Sequence, residues 1–278
     1  MKPMRFIHIS DLHIAIDYDG TKIVRLHNKT GITLTEQLEL SLEHILRSWS
    51  GIDFFIISGD IIHESYETDY KYLYNRLISL CGGIPFYIAL GNHDLGSRWK
   101  AWPYDKVSSI PGDSCDYLVE KDGLHIIFLD SRGGPYGSGI LYKSQLDWLR
   151  HQLDEIGESG CIIVMHHTPH ISREIPDLEY QMQNSREFYN AVKGRSVKAI
   201  FTGHTHRHFV SRLGTIPCYT APSITFGITT TKKCMSWDNI TGCNVCEYTD
   251  DDLKVKYVPI IPDTVYREDI LYSELYSS

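Results

Sequence analysis

Five short apolar runs in this 278-residue chain each end in side chains able to bind a metal ion. Arg5 to Ser10 leads into Asp11-Leu12-His13, Asp53 to Ser58 into Gly59-Asp60, and Pro85 to Leu90 into Gly91-Asn92-His93-Asp94. Cys161 to Met165 leads into His166-His167, and Lys198 to Thr202 into Gly203-His204-Thr205-His206. Buried parallel strands read as short runs rich in β-branched residues, and open α/β sheets gather ligands beyond the carboxyl ends of their strands. The pattern therefore brings two Asp, one Asn and four or five His to one edge, a metal site with ligands enough for two ions.

Helical periodicity fills the intervals. Leu34, Leu38, Leu42, Ile45, Leu46 and Trp49 form one apolar stripe, and Tyr70, Leu73, Tyr74, Leu77 and Leu80 a second that stops before Gly82-Gly83. A third helix opens at Ser144 and carries Leu146, Leu149 and Leu153; a fourth covers Asn184 to Val192. Strand–helix alternation implies parallel pairing with right-handed crossovers. Lys121-Asp122-Gly123 marks a hairpin between Tyr117–Glu120 and Leu124–Leu129. After residue 206 short strands dominate: Phe209–Arg212, Ile216–Thr220, Asn244–Tyr248 and Leu253–Ile260. The expected fold is a four-layer αββα sandwich, two mixed β-sheets flanked by helices. Residues 1–265 form one domain, with 231–265 as its C-terminal β extension, and 266–278 a loosely attached tail.

Composition narrows the class. Hydrophobic residues at 42% and charged residues at 22% fit an ordinary soluble globular protein. A formal net charge of −8 disfavours a broad nucleic-acid surface but leaves room for a small anionic substrate, because bound cations reverse the local field. No secretory signal precedes the first strand and no run is long enough to span a membrane, so a cytoplasmic protein is expected. Seven scattered cysteines suit reduced thiols better than a disulfide framework. A homo-oligomer is compatible with the sequence.

Single motifs carry little weight. Asp11 and His13, two apart past a strand end, can face one ion, although a bare Asp-x-His is close to a chance match. Gly59 lets the chain turn sharply before Asp60; a plain turn is the ordinary reading. In Gly91-Asn92-His93-Asp94, Asn offers a neutral oxygen ligand, His93 a titratable proton donor, and Asp94 a hydrogen-bond partner to fix that imidazole. His204 and His206 project the same way, and His166 follows a buried run that offers an imidazole no charge. One histidine alone is readily a satisfied structural residue; all five groups at successive strand ends are not. Mixed His, Asp and Asn without thiolate suits Fe, Mn, Zn or Co rather than calcium or a structural zinc cluster.

The ordered series Asp-x-His, Gly-Asp, Gly-Asn-His-Asp, His, Gly-His-x-His resembles the calcineurin-like metallophosphoesterase superfamily. The contexts Ser10-Asp11-Leu12-His13 and Gly203-His204-Thr205-His206 are similar to its bacterial cyclic-nucleotide phosphodiesterase branch. The resemblance spans residues 5 to about 225. It implies that Asp11, His13 and His206 hold a first divalent or trivalent metal, that Asn92, His166 and His204 hold a second, and that Asp60 bridges them. It selects His166 over His167 as ligand, and it implies that His93 protonates the leaving oxygen or stabilises the transition state. The implied reaction is in-line attack by a metal-bridging hydroxide on a phosphodiester, a 3′,5′-cyclic nucleotide or another small diester. A phosphomonoesterase or nucleotide pyrophosphatase is the alternative. A nuclease is disfavoured by the acidic balance, and a non-catalytic scaffold of the same fold by the full set of ligands.

Around that set, His63, Arg132 and His167 are candidate substrate contacts, each weighed against a structural role; for Arg132, at the end of the Asp130-Ser131-Arg132 run, a structural ion pair weighs at least as much as a grip on phosphate. His208 continues the two-residue spacing and could reach the pocket rim, but an exposed strand position is its ordinary reading; His170, like His63, is a candidate to line the site. Cys234, Cys243 and Cys246 contain a Cys-x-x-Cys spacing, but a strand there would turn Cys243 and Cys246 to opposite faces, against a shared zinc. The segment from Ile14 to Thr33 leaves the active edge and is longer than a strand-to-helix turn needs, which suggests a substrate-facing lid.

Overall fold

The computed structural model describes residues 3–18, 21, 23–63, 67–96, 98–102, 108–109, 114–169, 182–231, 234–249 and 252–271. In chain order the strands are β1 (Met4–Ile9), β2 (Phe54–Ser58), β3 (Phe86–Ala89), β4 (Ser108–Ser109), β5 (Tyr117–Lys121), β6 (Leu124–Phe128), β7 (Cys161–Val164) and β8 (Val197–Thr202). They continue with β9 (Phe209–Leu213), β10 (Ile216–Thr220), β11 (Gly227–Thr230), β12 (Cys234–Asp238), β13 (Thr241–Thr249), β14 (Asp252–Ile260) and β15 (Arg267–Leu271). The α-helices are α1 (Val24–Thr30), α2 (Leu34–Ser48), α3 (Glu67–Leu80), α4 (Lys143–Ile156) and α5 (Ser185–Val192).

Two mixed sheets dominate. The first has the order β14-β13-β1-β2-β3, and the second β4-β5-β6-β7-β8-β10-β9. Within the first, β1, β2 and β3 run parallel, Phe6 opposite Phe54 and Phe55 opposite Phe86; within the second, β6, β7, β8 and β10 do the same. The hairpin between β5 and β6 turns on Asp122 and Gly123, both with positive φ, the requirement of a two-residue turn that matches strand twist.

Side-chain alternation divides the second sheet between two cores. Ile126, Phe128, Ile162, Val164, Ala199 and Phe201 pack toward the first sheet, while Ile127, Leu129, Ile163, Met165 and Ile200 pack with Leu146, Leu149 and Leu153 of α4 and Phe188 and Val192 of α5. Edge-to-face contacts of Phe201 with Phe6 and His8 close the space between the sheets. On the outer side of the first sheet, α2 inserts Leu38, Leu42 and Ile45; its N-terminus is fixed by a Thr33–Glu36 capping box. The four expected helices are present, and the mixed α/β architecture of two large sheets with helices is the one anticipated.

Three features depart from expectation. Val24–Thr30 is a helix inside the segment expected as a lid, with Ile23 and Leu26 buried. Its start has neither a side-chain cap nor an acidic residue in the first turn, so no helix signal stood out. Second, β11, β12 and β15 form a third, antiparallel sheet. Third, Arg267–Leu271 of the expected tail is therefore a paired strand: Ile270 is fully buried, and Lys29 reaches across from α1 to Glu268. Residues 272–278 lie outside the described residues, as do residues 19, 20 and 22 of the expected lid. All seven cysteines are unpaired, and Cys243 and Cys246 sit buried in β13. Among the described residues no helix is long and apolar enough to cross a membrane.

Candidate metal centre

The carboxyl ends of both parallel sets converge. A parallel bridge joins Ser10 to Ser223, and Ile224 N–H donates to Ser10 O, so the exit of β1 is tied to the exit of β10 across the two sheets. Beyond the strand ends the pairing of β1 with β2 continues as loop hydrogen bonds: Asp11 N–H to Gly59 O, His13 N–H to Asp60 O, Ile14 N–H to Ile61 O. Asp11, His13, Asp60, His204 and His206 all have positive φ, between 48° and 73°. Bulky residues hold the left-handed region at a cost of about 1–3 kcal/mol each, and such strain concentrates at functional sites. Gly59 permits the closest approach: a Cβ there would lie 2.5 Å from His166 Nδ1. Gly91 is similarly pressed against the Asp60 carboxylate.

Two clusters result, with Asp60 between them. In the first, His13 Nε2 is 3.1 Å from His206 Nε2, which is 3.4 Å from Asp11 Oδ1. In the second, His166 Nε2 is 3.2 Å from His204 Nδ1. Asp60 Oδ2 stands 3.5 Å from His13 Nε2 and 3.2 Å from His166 Nε2. The ligand atoms of Asp11, His13 and His206, and likewise those of Asp11, Asp60 and His166, lie within 4.8 Å of one another.

The second nitrogens are held by the scaffold. His166 Nδ1 donates to Ser58 O at 2.7 Å and His206 Nδ1 to Phe226 O at 3.1 Å, which turns both Nε2 lone pairs into the site. His13 Nδ1 lies 3.2 Å from His63 Nδ1, and the His63 ring stacks on His93 at 5.2 Å. The backbone N–H of His93 donates to Asp60 Oδ1, and that of His204 to Asp11. Ser223 and Thr225 donate hydroxyls to Asp11 O. Ser58, Ser223, Thr225 and Phe226 were not singled out from sequence; carbonyl acceptors and ordinary hydroxyls carry no motif.

The electrostatics call for cations. Burial drives His13 and His204 well below the ordinary imidazole range and His206 to about 3, so these rings are neutral lone-pair donors. Burial alone would raise Asp60, but the surrounding imidazoles, His166 foremost, hold it as a carboxylate. Burial pushes Asp11 up to about 7 despite the opposing pull of His166. His166 alone goes the other way: burial opposes its charge, but the Asp60 and Asp11 carboxylates outweigh burial and raise it to about 9, so the two buried carboxyls draw positive charge into the site. Asn92 adds a buried Oδ1 with no hydrogen-bond partner, the signature of an oxygen ligand. The residues present fit two metal ions.

Four expectations are revised. His167 lies close to His166 and His204, but Ser131 Oγ meets its Nδ1 at 2.8 Å and Gly137 O its Nε2 at 2.9 Å, so both nitrogens serve the scaffold rather than a substrate. Arg132 forks onto Asp130 and donates to Asp94 O and Gly96 O, leaving its guanidinium committed and only 16% exposed instead of gripping phosphate. Asp94, expected to fix the His93 imidazole, gives its carboxylate to the N–H groups of Ile61, Ile62 and Gly91 and to the Tyr70 hydroxyl. His208 stacks on Tyr257 at 4.1 Å instead of extending the site. His170 lies outside the described residues.

The calcineurin-like phosphoesterase family model matches residues 4–208, the stretch that carries every residue of both clusters. The chain belongs to that family. It is accordingly an enzyme that hydrolyses phosphate esters. It is 24% identical over 268 residues to a probable cyclic nucleotide phosphodiesterase of Rhodococcus erythropolis, covering 93% of this chain and 85% of that one. Over 264 residues it is 25% identical to a cAMP/cGMP dual specificity phosphodiesterase of Mycobacterium tuberculosis, covering 91% and 79%. Its fold is similar to that of a dimetal phosphatase from Danio rerio, with a TM-score of 0.57 at 14% identity, covering 84% and 95%.

Proposed function

We propose that this phosphoesterase hydrolyses small phosphodiesters, foremost a 3′,5′-cyclic nucleotide, at a centre of two transition-metal ions (Fe, Mn, Zn or Co). The observation that carries the reading is Asp60, one buried carboxylate shared by two histidine-bearing clusters. In this reading Asp11, His13 and His206 hold one ion, Asn92, His166 and His204 the other, and Asp60 bridges. The ions, when bound, supply Lewis acidity that ionises water near neutral pH and neutralises phosphate oxygens. The names of the two bacterial relatives favour the cyclic-nucleotide substrate.

The chain's own groups supply orientation and a proton. His93 is fixed by its backbone bond to Asp60 and borders His13 at 4.7 Å, so its imidazole stands beside the centre without belonging to the two ligand clusters. An imidazole there can act as the general acid that gives the departing alkoxide its proton. His63 braces His13 through the facing Nδ1 atoms and stacks on His93, linking the ligand shell to the proton donor. The strained, glycine-backed turns keep the ligands in register, so little reorganisation accompanies substrate binding.

The test is a hydrolysis panel with added Mn: 3′,5′- and 2′,3′-cyclic nucleotides, bis-p-nitrophenyl phosphate, p-nitrophenyl phosphate and a short DNA. Diesters, with 3′,5′-cyclic nucleotides first among the natural ones, are expected to turn over fastest. Faster cleavage of the monoester would replace the diesterase reading with a phosphomonoesterase, and cleavage of DNA alone would replace it with a nuclease.

A further inference from the structure

Between β6 and α4 the chain runs Gly133-Gly134-Pro135-Tyr136-Gly137-Ser138-Gly139, a loop with no part in the ligand clusters. It is nonetheless built against them. A Cβ on Gly137 would lie 3.4 Å from the Asn92 amide nitrogen, and Gly137 O accepts the His167 Nε2 proton. Arg132, at the base of the loop, donates to Gly96 O at 3.0 Å and to Asp94 O, which locks the loop's root to the turn bearing Asn92 and His93. The loop therefore stands at the Asn92 side of the centre.

At its tip Tyr136 adopts φ 54°, ψ 34° and is 90% exposed. Both properties are costly without a return. The left-handed region suits glycine or asparagine, and a bulky side chain there is strained. A ring standing in water recovers almost nothing by burial. The exposed ring is left available to a ligand rather than used in the core. On the turn that carries Asn92, Leu95 is 50% exposed.

We infer that Tyr136 is the platform on which the organic group of the substrate stacks, a purine base in the case of a cyclic nucleotide, and that it sets specificity for base-bearing over base-free diesters. The inference rests on the phosphodiesterase reading. A base has a π-face on either side and stacks on an aromatic ring without hydrogen-bond readout, at a gain of roughly 5- to 100-fold in binding. Ser138 closes the tip on Pro135 O through its N–H and its hydroxyl, so the turn presents the ring from a fixed base.

The experiment compares wild type with Tyr136→Ala, Tyr136→Phe and Tyr136→Gly. For each, kcat and KM are measured for 3′,5′-cyclic AMP and for glycerophosphoethanolamine, a diester with no base, and calorimetry gives the Kd of AMP and of glycerol 3-phosphate. Tyr136→Ala and Tyr136→Gly are expected to lower the cyclic AMP to glycerophosphoethanolamine ratio of kcat/KM roughly 5- to 100-fold, through KM, and to weaken AMP more than glycerol 3-phosphate. Tyr136→Phe should retain the ratio, and the thermal midpoint of Tyr136→Gly should be no lower than that of wild type. An unchanged ratio with both substrates still hydrolysed overturns the platform and leaves the diesterase reading standing. Hydrolysis of neither substrate by wild type removes both.

Discussion

His93 donates its backbone N–H to Asp60 Oδ1 at 2.8 Å, while Oδ2 of the same carboxylate faces His13 and His166. One side chain thus stands between the two clusters and fixes the backbone of His93, the proposed proton donor. Asp60→Asn halves the charge between the two buried carboxyls and offers an amide where the second oxygen stood. It should lower metal content measured by mass spectrometry and reduce turnover together, each by at least about 100-fold in affinity or rate. Normal metal content with normal turnover contradicts the bridging role.

His93→Ala should separate chemistry from assembly. The side chain lies outside the two ligand clusters, so metal content is expected to stay at the wild-type level while kcat falls about 10²- to 10⁴-fold. The loss should shrink for p-nitrophenyl esters, whose leaving group needs no proton. Equal losses for good and poor leaving groups would exclude proton donation by this imidazole.

His63 faces His13 through Nδ1 to Nδ1 contact at 3.2 Å. Removing the brace with His63→Ala frees the His13 ring to rotate, and partners of this kind typically contribute 10- to 100-fold in metal affinity or activity. Metal titration followed by activity should show the weaker affinity, and His63→Asn, which retains an acceptor, should recover part of it.

His8 tests the core. It is fully buried, its ring nitrogens paired with Ser58 Oγ and Asn244 Nδ2, and burial lowers its pKa from 6.5 to about 3. The unfolded chain takes up a proton below pH 6.5 that the native state refuses, so stability is full above that pH and lost as pH falls toward 3. The expected loss is about 1.4 kcal/mol per pH unit from this group, or about 2 kcal/mol at pH 5. His167, lowered likewise to about 3 by burial, has the same sign. Denaturant unfolding of wild type and His8→Gln between pH 5 and 7 should differ in slope by an amount that approaches one proton near pH 5 and fades above pH 6.5; parallel curves would contradict a neutral, buried His8.

Legibility followed the kind of partner each residue has. Asp11, His13, Asp60, Asn92, His166, His204 and His206 could be read because strand ends place them and their own side chains are unusual at the end of an apolar run. In the fold the His166 Nε2 faces Asp60, while the His167 nitrogens meet Ser131 and Gly137. For Arg132 a structural ion pair is one of two readings of the sequence, and Asp130 supplies it; the anchoring of Arg132 to Asp94 O and Gly96 O, and of the Asp94 carboxylate to the Ile61 and Ile62 N–H groups, leaves no trace in sequence. The helix α1 and the strand β15 were missed for a related reason. Each is short and depends on tertiary contacts, among them the Lys29–Glu268 pair, more than on its own propensity.

The central claim is that two ions, held by one shared carboxylate, are needed for diester hydrolysis. Metal-free protein titrated with Mn while the initial rate of 3′,5′-cyclic AMP hydrolysis is followed tests it most directly. The rate is expected to rise from zero and level off at two equivalents per chain, with Asp60→Asn flat throughout. A plateau at one equivalent, or a rate independent of metal, would contradict the account.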